Sequence, residues 1–172
     1  MSMTTDQATT IRHWMLAKLE NEHKATMAVL DHVPEDKLGY TPADKLRPFG
    51  ELMLHPYQAG MFFAGIMETG KLDLSGGGDR EKPEVPGTKK ALAAACHELN
   101  RATIEKVSSF PVEALVQNVD MGNYGTFPAI TMLDWHVSHI VHHRAQLTVY
   151  LRTLGAKVPA TYGDSLDYPL NR

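Results

Sequence analysis

A single cysteine, Cys96, stands in the 172 residues, so no intrachain disulfide framework can form, and that usage suits a reducing cytoplasm. Basic charge is not in surplus either. Lys and Arg number 17 against 20 Asp and Glu, a formal net charge of −3, which speaks against nucleic acid or an anionic membrane surface as partner. Long apolar runs are also missing. The longest stretch free of Asp, Glu, Lys and Arg, Leu52 to Met67, contains His55, Pro56 and Gln58 and is short for a bilayer span. The first residues, Met1 to Asp6, lack the basic-then-apolar build of a secretion signal, so a cytoplasmic protein is expected. What is present is ordinary for a soluble globule: 43% hydrophobic and 22% charged residues, at a length that suits one domain over 1–172.

The hydrophobic spacing is helical almost throughout. From about Gln7 to Val33, the residues Ile11, Trp14, Met15, Leu19, Val29, Leu30 and Val33 recur at steps of three and four and predict one apolar face. Thr4, three residues before Gln7, offers a capping oxygen at its start, and Pro34 ends the pattern. A second helix should begin near Pro48, with Leu52, His55, Ala59, Phe62, Phe63 and Ile66 buried and, because of Pro56, a bend or irregularity at His55. Gly70 to Gly87, with Gly76-Gly77-Gly78 inside it, reads as a mobile surface loop; no Gly-Lys-Ser/Thr follows to make it a phosphate cradle. A third helix, roughly Lys89 to Phe110, shows Leu92, Cys96, Leu99, Thr103 and Phe110 on one side, so Cys96 reads as a buried, inert thiol. Pro111 to Ile130 predicts a short hairpin or an irregular crossover. The fourth helix should be capped by Thr131, with Asp134 completing the box and Ile130 stapled on Trp135. Its stripe is Leu133, His136, Ile140, His143, Leu147, Leu151 and Leu154, and Gly155 stops it. Four amphipathic helices without a strand ladder predict an all-α four-helix bundle.

Of nine histidines, four lie between His136 and His143. Residues four apart on a helix sit one turn along and about 40° around the axis, so His139 and His143 present two imidazoles on one face. That is the spacing at which a helix gives two ligands to one metal, and buried imidazoles are costly unless something satisfies them. Two ligands hold a metal weakly. A third should come from another helix, and His55 is the strongest candidate because no other histidine lies on the core face of the second helix. His136 is close in angle to His143 and could replace either ligand, while His142 points to solvent. Three neutral imidazoles with an open position would suit zinc, nickel, iron or copper. The plainer alternative is a core of packed histidines, each satisfied by one hydrogen bond.

Other patterns fail. Glu20-Asn21-Glu22-His23 is a lone Glu-x-x-His where a di-iron bundle needs two, and His97-Glu98 lacks a second histidine because Arg101 holds that place. Glu22, on the buried face of the first helix, could accept from a ligand imidazole or pair with Arg144. Arg144 or Tyr150 could stabilise developing negative charge near a metal.

The run from His139 through His143-Arg144-Ala145-Gln146 to Arg152 resembles the His-x-x-x-His-Arg-Gly-Gln signature of the DinB/YfiT-like superfamily. Leu154-Gly155, Val158-Pro159 and Tyr162-Gly163 are similar to its tail, and Gly39-Tyr40-Thr41-Pro42 with Gly50-Glu51-Leu52-Met53-Leu54-His55 to its second-helix segment. The resemblance implies an up-down-down-up bundle with a long connection between helices two and three. It implies a divalent transition metal (zinc, nickel or iron) held by His55, His139 and His143, and a homodimer. Relatives include metal-dependent transferases and isomerases that use a low-molecular-weight thiol such as bacillithiol or mycothiol. A metal-dependent enzyme of thiol S-transferase or hydrolase type, acting on a small molecule, is therefore expected; a non-catalytic metal-binding stress-response module is the alternative. Two residues depart from the pattern: Ala145 replaces the glycine after Arg144, and Pro56 directly follows His55.

Overall fold

The computed structural model describes residues 3–74 and 84–170, so the Gly76-Gly77-Gly78 loop lies outside the described residues. Four long helices form the bundle: α1 (Thr5–His32), α2 (Phe49–Thr69), α3 (Lys89–Ser109) and, after a small insertion, α5 (Thr131–Thr153). The insertion is a single turn, α4 (Val112–Val116), and a hairpin of β1 (Asn118–Asp120) and β2 (Thr126–Pro128) paired antiparallel with Val119 opposite Phe127. Leu72 N–H donates to the Asp120 carbonyl at 2.7 Å and Asp120 N–H to that of Gly70 at 2.9 Å, which ties the hairpin to the end of α2.

Side-chain pairings fix the helix directions. His23 meets His97 and Arg12 meets Phe110, so α1 and α3 run antiparallel. Gly60 lies against Thr103 and Glu68 pairs with Lys106, so α2 and α3 run parallel. His55 faces His139 and His143 while Gly60 faces His136, so α2 and α5 are antiparallel. The order is up-down-down-up. Both α1 and α2 pack against α3 and α5, which leaves α1 diagonal to α2 and α3 diagonal to α5.

Helix ends follow local chemistry with one exception. Thr4 and Gln7 form a reciprocal capping box on α1, as the sequence predicts. Gly70 and Gly155 take left-handed φ values of 73° and 70° and close α2 and α5. Thr131, expected as a cap, is already helical. Ile130 precedes it in helical geometry and no side-chain oxygen caps the end. The Met132 and Leu133 N–H groups are instead taken by the carbonyls of Ala129 and Ile130 at 3.0 and 3.1 Å, a tight turn out of β2.

Burial corrects two stripes. Trp14, expected on the apolar face of α1, is 64% exposed, with the Lys18 ammonium over its ring. Its face is held instead by Ala8, Met15, Leu19, Glu22, His23, Thr26, Val29 and Leu30. On α2, Phe62 and Phe63 are only partly buried, whereas Met53, Leu54, Pro56, Tyr57 and Gly60 are buried, because the helix packs on two neighbours. That two-sided packing also explains why α2 runs unbroken through Pro56. The lost N–H and the crowding of the Leu52 carbonyl cost about 3 kcal/mol, which tertiary burial offsets. Cys96 is fully buried, and burial pushes its thiol up to about 12, so it is inert as expected.

Candidate metal centre

Tyr150 sets how α2 lies on α5. Its hydroxyl donates to the Arg47 carbonyl at 3.1 Å and its ring packs edge-on against Tyr40 and Phe49. The start of α2 is clasped from the other side by Phe49 N–H on the Tyr40 carbonyl and Gly50 N–H on the Leu38 carbonyl, at 2.9 and 2.8 Å. One turn and a half into α2, His55 then arrives opposite the two histidines of α5.

The three rings converge. Ring centroids of His55 lie 4.9 Å from both His139 and His143, and those of His139 and His143 lie 4.4 Å apart. One nitrogen from each ring falls within 4.8 Å of the other two, a cluster that could hold a metal ion. All three residues are half-buried at the α2/α5 seam, so the cluster is open on one side.

Hydrogen bonds decide which nitrogens are free. The Gln146 amide nitrogen donates to Nε2 of exposed His142 at 3.2 Å, which turns its oxygen toward Nδ1 of His143 at 2.8 Å. His143 therefore carries its proton on Nδ1 and offers the Nε2 lone pair, which faces Nε2 of His139 at 2.9 Å. Nδ1 of His139 is buried with no hydrogen-bond partner. Burial lowers His55 to about 4, helped by the neighbouring His143 and Arg47 and opposed by Glu51. Burial together with His143 and His55 lowers His139 to about 4, and burial lowers His143 while Gln146 resists. All three are neutral near pH 7 and need lose no proton to bind a cation.

Other residues weighed from the sequence fall elsewhere. His136 is outside the cluster, 1% exposed and tilted against Phe63, with neither ring nitrogen hydrogen-bonded. A Cβ on Gly60 would lie 2.8 Å from its Nε2 and 2.6 Å from Thr103 Oγ1, so only glycine lets α2 close over that ring. Arg144 does not serve the cluster. It is buried against Glu22 at 2.6 Å, and Tyr162 of the tail accepts from Arg144 and donates to Glu22. Tyr150 spends its hydroxyl on Arg47, as described. The part played by Gln146 went unread in the sequence, although its place three residues after His143 puts it on the same helical face.

Comparison with known proteins places the chain in a family. The model of the DinB family matches residues 1–169. The chain belongs to the DinB family. The uncharacterized protein YrdA of Bacillus subtilis (strain 168) is 25% identical to this chain over 154 residues, 90% of this chain and 89% of YrdA. A crystal structure of a DinB-like protein from Bacillus cereus ATCC 10987 superposes with a TM-score of 0.65 at 25% identity, covering 86% of this chain and 95% of that one. A second, the DinB-like YjoA of Bacillus subtilis, gives a TM-score of 0.68 at 18% identity over 86% and 97%, and shares the bundle fold. Among the described residues of this DinB chain, no helix is long and apolar enough to cross a membrane.

Proposed function

We propose that this DinB protein is a metal-dependent enzyme whose centre is a divalent transition metal held by His55, His139 and His143. The observation that carries this reading is the convergence of three neutral imidazole donors, within 4.8 Å of one another, at a seam open on one side. Three donors with a vacant position is the pattern of catalytic rather than structural sites. A bound ion there supplies a Lewis acid that lowers the pKa of a thiol or water, making the anion available near neutral pH. The reaction class is a thiol S-transfer or a hydrolysis on a small electrophile, with a low-molecular-weight thiol as cosubstrate for the former. Gln146 keeps the His143 proton off the nitrogen that faces the centre. The Arg47–Glu51 ion pair lies near His55, where Arg47 adds to the burial that keeps the ring neutral and Glu51 opposes it.

Two measurements test the reading. Untagged protein equilibrated with zinc or nickel should carry the ion by elemental analysis, and His143→Ala should lose it from this centre while keeping its helical circular dichroism. The loaded protein should then consume an electrophile in the presence of a panel of small thiols or of water alone. Full metal content in the His143→Ala protein would refute the ligand set. A fully loaded protein that turns over nothing would favour the metal-binding module instead.

A further inference from the structure

On the seam opposite the three-histidine cluster, between α1 and α3, His23 and His97 meet edge to face with centroids 4.6 Å apart. Nε2 of His23 lies 2.7 Å from Nδ1 of His97. The pair borders a cavity of about 390 Å3 that is also lined by Glu20, Lys24, Asn100 and Arg101. Nothing in the proposed reaction uses this place.

His23 is held from its inner side. Its Nδ1 lies 2.8 Å from the Tyr57 hydroxyl, and its Nε2 faces outward at His97. An imidazole oriented by a partner on its far nitrogen is the usual setting of a metal ligand. The exposed side of the pair is free to adjust: His97 is a surface residue, and its Nδ1 becomes a second donor once its proton sits on Nε2. Metal–nitrogen bonds of about 2.0–2.1 Å at a tetrahedral angle place two nitrogens about 3.3 Å apart, so the contact need open by only about 0.6 Å.

An independent observation comes from Asn100, one turn after His97 on α3. It is 6% exposed, borders the same cavity, and its Oδ1 is buried with no hydrogen-bond partner. A buried amide oxygen left without a donor is costly unless a cation or a donor occupies the space beside it. Glu20, one turn before His23 on α1, adds a carboxylate to the lining. Of the two cations there, Arg101 is neutralised by Glu98 and Glu105 at 2.6 Å each, which leaves Lys24 as the group opposing an incoming ion.

We propose that His23 and His97, with Asn100 and Glu20 beside them, form a second site for a divalent transition metal of the zinc class, independent of the three-histidine centre. The test is zinc uptake by the untagged chain, read by equilibrium dialysis and elemental analysis. Two zinc ions per wild-type chain are expected, one in His97→Ala and one in His139→Ala. His97 is exposed, so its replacement should leave the helical circular dichroism intact and make the count meaningful. Equal zinc content in wild type and His97→Ala would overturn the second site and leave the three-histidine reading standing. A single wild-type ion that His97→Ala loses and His139→Ala keeps would support the second site and overturn the other.

Discussion

The two histidine clusters lie on opposite seams of one bundle and are built by different routes. At the α2/α5 seam two rings come from a single helix, one turn apart, so their meeting is written into four consecutive steps of backbone and needs only one partner from α2. At the α1/α3 seam each helix gives one ring, and residues 74 positions apart meet only because α1 and α3 pack in one particular register. The first arrangement is local and repeated; the second is a product of tertiary packing. A buried ion pair joins them. Glu22 is the neighbour of His23 and Arg144 the neighbour of His143, so the contact at 2.6 Å ties the backbone of one cluster to that of the other.

Experiments can separate or link the two seams, and the largest effect should come from that shared tie. Glu22→Ala leaves Arg144 as an uncompensated buried charge, and should lower unfolding free energy by about 3–5 kcal/mol in urea titrations while weakening zinc uptake at both seams. A stability loss under 1 kcal/mol would show that the clusters are mechanically separate. Next come the residues that orient one ring each. Gln146→Leu should weaken zinc about 10–100-fold at the α2/α5 seam only, and Tyr57→Phe by a similar factor at the α1/α3 seam only, in chelator competition. Crossed or equal effects would break the symmetry drawn between the two.

Acid should act on both seams together. His23, His55, His136 and His139 are each held at about 4 in the folded chain, chiefly by burial, against an ordinary 6.5. Between those values the unfolded chain binds protons that the folded chain does not, so stability is full above pH 6.5 and falls as pH drops toward 4. Urea midpoints at pH 7.5 and pH 5 should show this decline in metal-free protein; an unchanged midpoint would contradict it. The smallest effect belongs to His97→Ala, which removes an exposed ring and should shift unfolding free energy by no more than about 0.5 kcal/mol, whatever it does to zinc.

How far each region could be read beforehand follows the same division. His139 and His143 were legible because helical spacing alone puts them on one face, and His55 because its helix offers no competing histidine on that side. The capping box of Thr4 and Gln7 was legible for the same local reason. Trp14 was not: period alone cannot tell a core position from the rim of the stripe, and Trp14 is exposed while Met15 and Leu19 of the same stripe are buried. The continuation of α2 past Pro56 was not legible, because the cost of the missing N–H is local while the burial that outweighs it is not. Thr131 misled because the turn leaving β2 had already supplied carbonyls to the first N–H groups of α5. His23 and His97 could not be paired at all from spacing, since no local rule sets the register of α1 on α3.

The tie of Tyr162 to Glu22 and Arg144 bears on how the protein is made. A nascent chain emerges from its first residue onward, and contacts between distant positions close late. Residue 22 must wait for residue 144, and then for residue 162, before its carboxylate has both of its partners. Through most of translation, then, α1 carries an unmatched charge, and the cluster that would receive an ion lacks two of its three histidines. An ion taken up by the three-histidine cluster would accordingly enter the finished polypeptide, not the growing one.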